Sequence, residues 1–248
     1  MRVRRIIEHI RQQHWTAIGI DLVIVVFGVF IGMQVSNWNQ ARVERAAYEA
    51  AVARLAAEID VNLRGLDAFD LEMAKDLAVG SDGLDALQSC VDTDTNRRVV
   101  DEGLDRIRGT ANLHPHRSAL DEITSNPSLL EQQTPAERQR FAELLYYFDV
   151  LQKTADASER RPEESGMELN PLLRVGASYR SVGQYYGSEW VSKRRKLELA
   201  VPVARACHDN LLLKSFFNWE RIQRNLPLIS QKWRAELVAT KALIGARR

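Results

Sequence analysis

The sequence has almost no net charge: 34 Lys and Arg stand against 33 Asp and Glu, a formal +1. Nucleic-acid binding through counterion release needs a basic field, so the balance argues against nucleic acid as a partner. Catalytic signatures are missing too, with no GxSxG, HExxH or CxxC pattern and no phosphate-binding loop. No nucleophile–base pair can be assembled from recognised motifs, so neither enzyme activity nor a cofactor is expected. Cysteine is scarce. Cys90 and Cys207 either form one disulfide, as an oxidising compartment allows, or stay two separate buried thiols. No internal repeat and no run of alternating strands stands out.

What the sequence does have is one long apolar run. Thr16 to Val35 is free of charge except for Asp21, and about 20 helical residues span about 30 Å, the thickness of a bilayer core. Trp15 and Trp38 bracket the run where indoles prefer the headgroup zone, and Asn37 and Asn39 form a polar collar at its exit. A cleaved signal peptide needs small residues just after the run. Gln34-Val-Ser-Asn-Trp-Asn39 offers no A-x-A-like site, so the reading is an uncleaved transmembrane helix over 15–38. Arg2, Arg4, Arg5 and Arg11 outnumber Arg42 and Arg45 beyond it. By the positive-inside rule residues 1–14 are cytoplasmic, as an interfacial helix or a plain charged tail, and residues 39–248 form the domain on the outer side of the membrane.

Within the span, Asp21, Gly28 and Gly32 fall within about 20° of one line along the helix. Gly28-Val-Phe-Ile-Gly32 is a GxxxG pattern, which lets helix backbones approach closely, and an acid inside a span usually faces protein. The stripe predicts helix packing against a second copy or another membrane protein. Asp21, the run through Gly32 and the ending Gln34-Val-Ser-Asn-Trp-Asn39 resemble a family of uncharacterised bacterial single-span proteins. Ser118-Ala-Leu-Asp-Glu-Ile-Thr-Ser-Asn126, followed by a helix with Tyr146-Tyr147, is similar to a second segment of that family, with Pro127 where glycine is the rule. The resemblance implies a membrane location and lends no activity.

For the rest of the chain the periodicity is helical. Tyr48, Val52, Leu55, Ile59, Asn62, Leu66, Phe69 and Met73 alternate at spacings of four and three, a heptad seam that packs either on later helices or on another chain. Gly80-Ser-Asp-Gly83 reads as a helix break. Thr134-Pro-Ala-Glu137 reads as a capped helix start. Residues 158–170 read as a polar connector, 189–225 as helix bent at Pro202, and 227–246 as a final helix. The expected fold is all-α: a transmembrane helix, a long helix and an antiparallel bundle. Among chemical candidates, His114 and His116, with His208, Asp121 or Glu122, offer imidazoles and carboxylates, though HxH alone is a weak signal and a proline-held turn with both rings in solvent explains the pair better. Lys193-Arg-Arg-Lys196 is the densest basic cluster, set to meet lipid or an acidic partner if it is not simply a solvated face. Tyr179, Tyr185, Tyr186, Trp190, Phe216, Phe217 and Trp219 line either a ligand pocket or the core. These readings point to a membrane-anchored interaction or scaffold protein, with a ligand-sensing module acting through a membrane partner as the alternative.

Overall fold

In the computed structural model the chain is described over residues 15–109, 113–163, 166–185 and 188–247, with the side chains of 15–19, 21, 161–163, 184, 185 and 188 left aside. It is mostly helical. Helix α1 (Trp15–Gln88) is followed by α2 (Asp94–Ile107), α3 (Ser118–Ser125), α4 (Pro127–Glu131) and α5 (Pro135–Glu163). A 3-10 turn at Met167–Leu169 leads into strands β1 (Leu173–Tyr185) and β2 (Ser188–Leu199), and α6 (Val203–Ala206), α7 (Asn210–Gln223) and α8 (Asn225–Gly245) complete the fold.

The 74 residues of α1 form one continuous helix, about 110 Å long at 1.5 Å per residue. Its seam is internal: Tyr48, Val52, Leu55, Ile59, Leu66 and Met73 are buried in the core, with Phe69 packed against it. Near the start of the seam α8 runs antiparallel to α1, tied by Arg234 to Asp67 and Asp70 (2.6 and 2.9 Å), by Lys241 to Asp60, and by Arg247 stacked 4.7 Å over the Tyr48 ring. Burial and the neighbouring Glu137 carboxylate push the Tyr48 hydroxyl up to about 12. Helix α5 packs antiparallel to α8, with Phe148 on Trp233 at one level and Arg140 on Glu236 and Thr240 at another. Its start is the expected capping box: Glu137 accepts from the Thr134 N–H (2.7 Å) and hydroxyl, while Thr134 Oγ1 accepts from the Glu137 N–H (3.3 Å).

Asn62, the polar member of the seam, donates from Nδ2 to the His116 carbonyl (2.7 Å) and accepts the His116 N–H (2.8 Å). It fixes the 113–117 loop against α1. The segment 118–126 is clamped beside it. Glu58 accepts from the Ser118 hydroxyl and the N–H groups of Ala119 and Leu120 (2.8, 2.9 and 3.2 Å), supplying the cap that α3 lacks locally. Arg54 makes a two-pronged bond to Glu122 (3.1 and 2.6 Å). Pro127 opens α4 behind the Asn126 cap.

Three expectations fail here. Gly80 and Gly83 do not break α1; they let neighbours in. A Cβ at Gly83 would stand 2.9 Å from both the Gly103 Cα of α2 and the Phe216 ring, and one at Gly80 would stand 2.6 Å from Trp219. The 158–170 segment is not all connector, because α5 runs through its first part to Glu163. The fold is not strictly all-α either: 188–199 is a strand paired antiparallel with 173–185, so the expected helix from 189 is replaced by a hairpin. Pairing overrides helix propensity there. Val175, Tyr179, Val182, Trp190 and Val191 are β formers, and a connection of two residues between Tyr185 and Ser188 closes the hairpin.

Candidate functional site

Among the described residues, the apolar start of α1 and the distal part of the β1–β2 hairpin pack on no other element. The start of α1 is the first of these surfaces. From Ile20 to Val43 its large apolar side chains are 53–66% exposed, and an 18-residue stretch reaches a mean hydropathy of 1.6 with none of it buried. This is one helix long and apolar enough to cross a membrane. Nothing lies within 4 Å of a Cβ built at Gly28 or Gly32, so the GxxxG face is open. Trp15 and Asp21 belong to the helix, with side chains outside the described set. At the other end Arg42 stacks 5.5 Å from the Trp38 ring and donates to Asn39 Oδ1 (3.5 Å), while Asn37 is exposed.

The second surface is the β1–β2 hairpin. Its base is anchored, with Leu197 and Leu199 buried. Asp101 accepts the Leu199 N–H (2.8 Å), and Arg97 and Arg108 donate to the carbonyls of Leu199 and Arg195 (2.7 and 3.2 Å). Burial raises the Asp101 carboxyl above its ordinary value despite that N–H. The distal part projects. Val182, Val191 and Trp190 are exposed, and the register sets Arg180 directly opposite Lys193, and Tyr179 opposite Arg194. Between the hairpin and the end of α2 lies a cleft of about 1070 Å³ whose walls carry Arg106, Arg108, Lys193, Arg194 and Arg195 beside Tyr179 and Asp105. Arg106 is held by Asp76 (2.9 Å) and Arg108 by Asp105 (3.5 Å), while among the described residues Lys193 and Arg180 make no ion pair. Sequence reading found the basic cluster and the tyrosines but treated the first as a helix face. The β-branched and aromatic residues around the cluster, Val175, Tyr179, Val182, Trp190 and Val191, were the available signal.

The remaining candidates divide differently from expectation. Cys90 and Cys207 are joined by a disulfide, with Cα atoms 5.4 Å apart, linking the end of α1 to the end of α6; the His208 ring lies close by. His114 and His116 do not converge. His114 meets Glu159 (3.3 Å) and Asp156 (3.9 Å) of α5, with Gln152 against its Nδ1 (2.6 Å), and this network ties the loop to α5. Asp121 and Glu122 are bound by Arg117 and Arg54 instead. The aromatics form no common pocket: Phe216 and Trp219 are core, Phe217 is exposed, Tyr179 and Trp190 belong to the hairpin, and the Tyr185 side chain and Tyr186 lie outside the described set. No family model, no curated protein and no solved structure matches the chain.

Proposed function

We propose that this chain is a single-pass protein of the bacterial inner membrane, N-terminus in the cytoplasm, which assembles with a second copy or another envelope protein through its span and its periplasmic domain. One observation carries the reading. A single helix is apolar and exposed from Leu22 to Val35, yet from Tyr48 to Leu87 it is the central strut of a folded domain. Such a helix places the domain directly on the membrane surface and couples it rigidly to whatever packs against the span. Four arginines before the span and the Cys90–Cys207 bond both favour an oxidising outer compartment for the domain. The face at Gly28 and Gly32 is the contact that close helix packing requires.

The test replaces both glycines. Gly28→Ile with Gly32→Ile leaves hydrophobicity intact but forbids close approach. The double variant should still fractionate with membranes and should lose at least tenfold in crosslinked or co-purified partner. Undiminished association would rule out that face.

A further inference from the structure

The hairpin carries a physical conflict that the fold itself does not need. Arg180 and Lys193 are cross-strand neighbours on one face, and like charges directly opposite destabilise a sheet. Between Leu173 and Leu199 there are six basic residues and two acidic ones. The wall of α2 adds Arg106 and Arg108 to the same cleft. A two-stranded sheet also leaves strand edges that invite another strand. On β2, Arg195 and Leu199 turn their main-chain groups outward to α2 side chains. By the two-residue period Lys193 and Val191 turn theirs the same way, beyond the reach of that helix. Exposed Val182 and Val191, themselves a cross-strand pair, supply an apolar patch beside the charges.

We infer that the distal β1–β2 hairpin and its basic cleft dock an extended acidic segment of another protein, added as a strand along the hairpin edge. The inference rests on the interaction reading above and names the partner chemistry of the outer domain, separately from the contact made by the span. Main-chain hydrogen bonds supply affinity to a sheet edge, and alternating side chains supply selection. Carboxylates at every second position share a face with Arg180, Lys193 and Arg195, and the apolar residues between them fall on the opposite face, beside Tyr179 and exposed Trp190. A second copy of this hairpin is a poor occupant, because it brings the same positive charge. The bilayer is poorly placed. Arg106 is bonded to Asp76, and on one continuous helix Asp76 stands about 57 Å beyond Trp38.

The experiment measures fluorescence anisotropy of a fluorescein-labelled decapeptide of alternating Glu and Val, titrated with the full-length protein in phosphatidylcholine nanodiscs. Saturable binding that weakens with salt is expected, and a Lys–Val peptide should not bind. Lys193→Glu should reduce affinity at least tenfold. The same substitution places a carboxylate opposite Arg180, so thermal unfolding should show no loss of stability, which separates a lost contact from a lost fold. Absence of acidic-peptide binding, equal binding of the Lys–Val peptide, or unchanged affinity in Lys193→Glu would each overturn the inference. So would binding of the peptide-free protein to phosphatidylglycerol vesicles that is abolished by Lys193→Glu, which would assign the surface to lipid. Crosslinking through the span is read independently, so failure here leaves the span contact standing.

Discussion

Gly83 and Gly103 meet at van der Waals distance across α1 and α2, with the Phe216 ring filling the third side. A methyl group at Gly83 has backbone on one side and a buried ring on another, neither of which yields easily. Overpacking costs about 1–3 kcal/mol, while Gly→Ala in a helix returns about 0.5–1 kcal/mol. Gly83→Ala should therefore lower unfolding stability by about 1 kcal/mol in chemical denaturation, the middle of a net that runs from about 0 to about 2.5 kcal/mol. Gly65→Ala, where nothing lies within 4 Å of the new Cβ, should instead be neutral or raise it. Glu236 gives the pH counterpart. Burial alone would raise its carboxyl, but hydrogen bonds from Lys232 and Arg140 outweigh burial and hold it below its ordinary 4.5. A carboxyl depressed in the folded state stabilises fully above its unfolded pKa and loses that contribution as pH falls through the folded value. Denaturation midpoints compared between about pH 6 and about pH 3 should fall more steeply for the native chain than for Glu236→Gln. Parallel slopes would remove this network from the acid sensitivity.

At the scale of elements, what was legible was whatever is encoded locally. A helix long and apolar enough to cross a membrane follows from length and composition, the seam from Tyr48 to Met73 from its spacing, and the start of α5 from the Thr134–Glu137 box. The hairpin was illegible because Lys193-Arg-Arg-Lys196 has fair helix propensity and becomes strand only by pairing with residues 178–180, upstream in the chain. Gly80 and Gly83 were misread because a glycine marks either a break or a close approach, and only the position of α2 and α7 decides which. The Cys90–Cys207 bond is likewise a fact of tertiary placement, closing a separation of 117 residues. It staples the end of α1 to the segment that carries α6. Cys90→Ser with Cys207→Ser should cost about 2–5 kcal/mol, read as a drop in Tm that reductant reproduces in the native chain. Free thiols found by alkylation of the untreated, denatured protein would contradict that bond.

As a whole the molecule is a lever with a body at one end. Helices α3 and α8 flank the part of α1 nearest the apolar segment, with α5 packed on both of them, α2 and α7 flank the far part, and the hairpin stands on α2. Because α1 is not interrupted between Ile20 and Gln88, rotation of the span about its axis turns the core by the same angle. A defined face for the membrane contact and a separate, basic face for the outer one are therefore expected. The most direct test of the first is a cysteine scan from Ile24 to Val35 in native membranes, one position at a time in the Cys90→Ser, Cys207→Ser background. Crosslinking should peak at Gly28 and Gly32 and fall away at Phe30, with the helical period. Equal crosslinking at every position, or none above background, would contradict assembly through this helix.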